Sequence, residues 1–305
     1  MFVIVTLLAA ALSGCGFVLQ QHAAQQQPPA SFLRAGLITA LVRNRRWLAG
    51  LGLLIAGDLV QAWTLGHLDL SVSEPLLATS LIFALILAVP ISGQPLQRVE
   101  IIGALLLCAG IAALSLTRTV TAPAESFGSF SHWPAAGAIA LVAAVLVIVG
   151  RVRPPLTRAA LTGLAAGLTF GIADAFTRRT IQVIDRGHAQ ALLVHWPGYA
   201  TVVATLIGLW LMQNAFSAAP LHASLPSITA AEPAAGIILG IVVFGDQVHT
   251  GWWLLLVQLA GVVALITGVV LVARAPVFRQ LTLRELPHSV REHIPHRPES
   301  RRKRQ

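Results

Sequence analysis

The chain has 305 residues, of which 56% are hydrophobic and only 11% charged, against about 25% charged in a soluble domain. So little charge cannot coat a globule with polar surface, which excludes a soluble enzyme or binding module and leaves lipid as the solvent. The net charge of +9 does not point to nucleic acid either, because nine of the 21 Lys and Arg residues lie after residue 273, in a polar tail ending RRKRQ.

Apolar runs of about 20 residues, the length of a membrane-crossing helix, follow one another at 2–21, 47–66, 72–91, 99–117, 132–150, 157–177, 196–215, 223–244 and 251–273. The bilayer core offers the backbone no water, so each run is expected to be a helix that satisfies its own polar groups. The expected fold is therefore an all-α integral membrane protein of about nine helices, over residues 1–274, with a basic, disordered cytoplasmic tail at 275–305.

The first run contains LLAAALSGCGF (residues 7–17), which has the look of a lipoprotein signal ending at Cys15. A cleavable signal opens on positive charge, and Met1-Phe2-Val3-Ile4-Val5 offers only the terminal amine. Residues 2–21 are expected to stay as a first helix, with Ser13, Gly14 and Gly16 serving close helix contact. Cys15 and Cys108 both sit inside apolar runs, so no disulfide framework is indicated. Trp47, Trp63, Trp133, Trp196, Trp252 and Trp253 fall near run ends, as an interfacial belt would place them.

Basic loops stay on the cytoplasmic side. Arg34, Arg43, Arg45 and Arg46 follow the first run, Arg98 the third, and Arg151, Arg153 and Arg158 the fifth. With these loops and the tail inside, 17 of 21 basic residues are cytoplasmic; Arg118, Arg178, Arg179 and Arg186 are not. The amino terminus is expected outside and the carboxyl terminus in the cytoplasm of a cell (inner) membrane protein. Residues 178–195 fit least well and read as a loop, partly embedded in the membrane.

The chain also resembles itself. QAWTLGHLDLSVSEPL from 61 lies over QNAFSAAPLHASLPSI from 213, at an offset of 151–152. Gln61 meets Gln213, Pro75 meets Pro226, Gly93 meets Gly245 and Gly110 meets Gly261, while Gly16 roughly meets Gly171. Four helices (about 2–117) thus pair with four more (about 157–274), leaving a linking helix at 132–150. An offset of five helices is odd, so the second copy is expected to enter the membrane from the opposite side. Inverted repeats of this kind are a common build of secondary transporters, with the solute near mid-membrane.

GDLVQAWTLGHLDLSVSEPLLATSLIFALILAVPISGQPL, residues 57–96, has a Gly-acid-x-x-amide pattern in the second helix. A small-residue turn, a Pro-Leu entry to the third helix and a hairpin into the fourth come next. In these features, and in having nine helices with four before the extra one, the chain resembles the drug/metabolite transporter superfamily, closest to its NIPA-like magnesium transporter branch. The resemblance covers most of 2–274 and implies an alternating-access transporter whose cargo is a divalent cation such as Mg2+. Asp58 stands where that branch has glutamate and Gln61 where it has asparagine, and GQPL lacks the acidic residue frequent in the hairpin.

An ionisable group at mid-bilayer costs about 2.5–3.5 kcal/mol on insertion scales, so it faces the bundle interior and marks function by default. Asp58 and, one turn on, Gln61 offer a carboxylate and an amide oxygen on one face. Gln213 and Asn214 lie at the matching level of the seventh helix, as cavity lining or as helix-to-helix hydrogen bonds. Glu232 precedes Pro233, whose missing N–H frees a carbonyl one turn back; carboxylate and carbonyl together would make an oxygen-lined site. Asp58 and Glu232 are the residues expected to hold a transported cation, and a partly hydrated magnesium ion needs only one or two protein carboxylates. A protonated, hydrogen-bonded carboxyl is the alternative for each.

Glu74, with Ser71 at capping-box spacing, reads as a helix cap or a gate. Asp174, beside Arg178 and Arg179, reads as a local ion pair or a gate. Gly163, Gly167 and Gly171 recur every four residues and read as helix packing. No nucleotide-binding or catalytic constellation occurs, so neither enzymatic activity nor a cofactor is expected. The expected partners are a small solute or cation, the lipid bilayer, anionic lipids for the basic tail, and a second copy of the chain in a homodimer. Within transport, an exporter of small metabolites or organic amines is the alternative; outside it, a non-transporting membrane scaffold.

Overall fold

The computed structural model describes residues 2–28, 31–34, 36–65, 75–92, 98–119, 133–187, 196–248 and 251–273. Its elements in chain order are α1 (Phe2–Gln25), α2 (Gly36–Val42), α3 (Arg45–Leu65), α4 (Ser80–Ser92), α5 (Arg98–Leu116), β1 (Arg118–Thr119), α6 (Pro134–Arg151), α7 (Pro155–Gly187), α8 (Trp196–Ala218), α9 (Leu221–Phe244), β2 (Gln247–Val248) and α10 (Trp252–Ala273). Seven of these, α1 and α5 through α10, are long and apolar enough to cross a membrane. The protein is an all-α, multi-pass membrane protein.

The other two expected runs also fall on helices. α3 begins on two arginines and carries Asp58, and the apolar stretch Pro75–Pro90 is shorter than a full crossing. That stretch is interrupted at Thr79, whose hydroxyl donates to the Leu76 carbonyl (2.5 Å). Two boundaries differ from expectation. α7 continues to Gly187, so 178–187 is helix and not loop, and 188–195 lie outside the described residues. The short α2 has no counterpart among the expected elements. At seven residues it is too brief for a sustained apolar period, yet it is pinned by fully buried Leu37 and Leu41.

Glycines set the helix contacts, because a residue without a Cβ lets two backbones approach where lipid gives no hydrophobic drive for association. A Cβ on Gly16 would lie 2.8 Å from the Gly50 oxygen, and one on Gly50 would lie 2.8 Å from the Gly16 oxygen. Higher on α3, Gly57 meets the Ala9 oxygen at 3.1 Å, so α1 and α3 run antiparallel. On α7, Gly163 abuts the Ser224 oxygen, Gly167 that of Ile228, and Gly171 that of Glu232. Each partner advances four residues with its glycine, so α7 and α9 run parallel. α5 and α10 cross antiparallel, with Gly103 against Gly268 and Gly110 against Gly261.

Several contacts recur between the two halves, at offsets of 151–152 for the α3/α8 and α4/α9 members and 157 for the α1/α7 members. Gly57 meets α1 at Ser13, and Gly208 meets α7 at Phe170. Gly14 meets Ser80 O and Ala84 N of α4, and Gly171 meets Glu232 O and Gly236 N of α9. The β1–β2 pair, with Arg118 opposite Val248 and Thr119 opposite Gln247, ties the end of α5 to the end of α9.

The buried apolar residues form two clusters. One draws on all ten helices, including Val18, Leu37, Trp47, Leu81, Leu107, Val147, Ala166, Phe216, Leu225 and Leu265. The other, around Trp133, Ile172, Ala204 and Phe244, is built by α6–α9 and the residue before α6. The tryptophans divide as well. Trp252 and Trp253 are exposed, whereas Trp47, expected in the interfacial belt, is 2% exposed and lies in the first cluster.

Candidate functional site

Trp47, Leu51, Leu54, Asp58 and Gln61 recur at three- and four-residue spacing along α3, which puts them on one stripe of the helix. The stripe begins in the core with Trp47 and ends, past Asp58, at partly exposed Gln61. Gly57, next to Asp58, abuts Ala9 and Ser13, well inside the length of the crossing helix α1. Asp58 thus lies beside the middle of α1. As a whole residue Asp58 is exposed, and its carboxylate makes no hydrogen bond or ion pair with any described residue.

Gln213 and Asn214 sit elsewhere, toward the opposite end of the bundle, and both are fully buried. Trp47 Nε1 donates to Gln213 Oε1 (3.0 Å), and Gln213 Nε2 donates to Gln20 Oε1 (2.6 Å). Asn214 Oδ1 accepts the Leu33 N–H (2.5 Å), while Asn214 Nδ2 donates to the Trp210 carbonyl (2.7 Å). Leu33 has φ 58°, the one described non-glycine residue at positive φ. A leucine in the left-handed region persists only where its surroundings hold it, and here the Asn214 side chain does so. Phe32 lies beneath the Arg158 guanidinium, 5.1 Å from its ring centre. Two adjacent α8 amides therefore tie down α1, α3 and the α1–α2 connection at once.

Glu232 is partly exposed and lies where α9 passes α7, its backbone oxygen against Gly171 and its nitrogen against Gly167. Pro233 leaves the Thr229 carbonyl without its helical donor. α9 nevertheless continues unbroken through both Pro226 and Pro233, so this is a defect inside a helix and not a break. Asp174 is exposed on α7. Glu74 lies outside the described residues, as does Gly93 of the hairpin.

Arg178 makes a two-pronged pair with Asp246, Nη1 to Oδ2 at 2.8 Å and Nη2 to Oδ1 at 2.9 Å. The Asp246 side chain is 0% exposed. The Arg178 guanidinium also stacks 4.3 Å from the centre of the Phe244 ring, within an aromatic group that includes Trp133, Phe176 and Trp196. Gly245, in the left-handed conformation (φ 67°), ends α9 and turns Asp246 back over the helix, its N–H donating to the Gly240 carbonyl. Asp246 escapes a search for carboxylates inside helices because it lies just beyond one. The signal for it is the glycine stop followed at once by an acid.

Among the described residues, no three His, Cys, Asp or Glu side chains converge as a metal site. An all-protein cage for a divalent ion is therefore not formed by them.

Fold and site together define a polytopic all-α membrane protein with an exposed acidic residue, Asp58, on α3. No family model and no solved structure matches the chain. It is similar to an uncharacterized protein of Corynebacterium glutamicum, 26% identical over 248 residues, which cover 81% of this chain and 86% of that one.

Proposed function

We propose that the protein is a secondary transporter that moves a small cationic solute across the inner membrane by alternating access, with a divalent cation such as Mg2+ as the leading cargo. The observation that carries the reading is Asp58: an exposed acidic residue beside the middle of α1, with no described protein partner. A charge so placed is costly unless water or a cation serves it. Glu232, beside a carbonyl freed by Pro233, is the second acidic group of the pathway.

The recurring glycine contacts support two four-helix repeats of opposite orientation, joined through α6. α1 contacts α3 and α4 as α7 contacts α8 and α9, and α5 crosses α10 through reciprocal glycine pairs. The arginine distribution supports an amino terminus outside and a carboxyl terminus in the cytoplasm. Membership of the drug/metabolite transporter superfamily, near its NIPA-like branch, rests on the motif at 57–96.

Reconstitution into vesicles tests the proposal. Saturable uptake of a divalent cation from a panel of cations and organic amines is the expected result. Uptake of an amine but no metal would leave the transporter and replace its cargo. No uptake of any member would favour a scaffold.

A further inference from the structure

The hydrogen bonds that gather on Gln213 and Asn214 do more than hold one helix. Trp47 Nε1 can only donate, so it fixes the Gln213 side chain with its oxygen toward the indole. The Gln213 amide nitrogen must then donate, which turns the Gln20 oxygen toward it. Gln20 is left with its own Nε2 buried and without a partner among the described residues. The three side chains cannot be flipped into an arrangement that satisfies them all.

The network lies at one end of the α3 stripe, and Asp58 lies eleven residues beyond Trp47, about 16 Å along the helix. Around the network, side chains from every helix close into one cluster. Toward the other end, the clustered side chains come from α6–α9 and Trp133, while α3 is exposed along its length, at Leu48 and Ile55 as well as at Asp58, Leu59 and Trp63.

We propose that Gln20, Gln213 and Trp47, with Asn214 clasping Leu33, form a gate that closes the inner end of the pathway above which Asp58 stands open to the outer face. This rests on the transporter reading of the same site. The gate joins helices of one proposed repeat, α1 and α3, to α8 of the other, so it must part when the halves rock. The unpartnered Gln20 amide suits that duty. A fully satisfied buried network would hold the closed state firmly, whereas one stranded donor, rehydrated on opening, offsets part of what closure gains.

The test reads access and not transport. Asp58→Cys, in a chain with Cys15→Ser and Cys108→Ser, is exposed to a membrane-impermeant maleimide from each face of sealed vesicles, with Arg153→Cys marking the inner face. Labelling should come mainly from the outer face. Adding Trp47→Phe or, separately, Gln213→Met should raise the inner-face rate about fivefold or more, a shift of about 1 kcal/mol in the opening equilibrium. Using both variants guards against one that does not fold. Outer-face labelling with no inner-face rise in either variant would overturn the gate and leave the Asp58 site standing. Equal labelling from both faces before any gate change would also overturn it. No labelling from either face would put Asp58 in lipid, which would remove the site and the gate together.

Discussion

Gly110 and Gly261 face each other where α5 crosses α10: a Cβ on Gly110 would lie 2.7 Å from the Gly261 oxygen, and one on Gly261 3.2 Å from the Gly110 oxygen. Gly103 and Gly268 repeat the relation further along. The two backbones touch at both pairs, with Val272, Leu265 and Ala113 packed beside the glycines, and this crossing is one of the places where the proposed halves meet.

The crossing should tolerate no added carbon. Gly110→Ala brings its Cβ against backbone that cannot step aside, at an expected cost of about 1–3 kcal/mol. Gly137→Ala on α6 meets nothing within 4 Å and serves as the matched control. Thermal unfolding in detergent should show a lowered midpoint for the first and an unchanged or raised one for the second. Equal midpoints would mean that the crossing gives way more easily than its geometry implies.

The Arg178–Asp246 pair should behave as a buried pair. Removing one partner strands the other in a desolvated place, so Asp246→Asn or Arg178→Met should each cost about 3–5 kcal/mol. Arg178→Met with Asp246→Leu should cost far less than the two singles combined. A double-mutant cycle on folded fraction against temperature measures the coupling. Strict additivity would show that the two charges do not depend on one another.

Topology follows from the arginines. A reporter fused within 30–45 should behave as cytoplasmic, and one fused within 120–128 as external. The reverse pattern would turn the molecule over and relocate the proposed gate to the outer face.

How far the sequence anticipates this structure depends on how local the cause is. Each expected apolar run falls on a helix, because bilayer physics forces length and hydrophobicity to report the same thing. Gly163, Gly167 and Gly171 announce a packing face by their spacing alone, though not that α9 is what packs there. Gln213 and Asn214 stand out as polar residues in an apolar run, but their partners Trp47, Gln20 and Leu33 lie more than 160 residues away. Composition cannot distinguish a cavity lining from such a bond. Trp47 misleads for the same reason: a tryptophan at a helix end looks interfacial until a buried acceptor claims its N–H. Asp246 is invisible to a search confined to helices, and its partner Arg178 sits on a helix turn expected to be loop.

The most direct test of the central claim is uptake by reconstituted Asp58→Asn, expressed per folded molecule. The substitution keeps the side chain's shape and removes its charge, so packing against α1 should survive and protein level should stay normal. Glu232→Gln makes the same change on α9. If Asp58 contacts the moving cation, the Asp58→Asn protein should lose most of the wild-type flux, at least about tenfold, with unfolding unchanged. Wild-type flux in the neutralised protein would contradict the account, since the carboxylate would then have no part in carrying charge through the membrane.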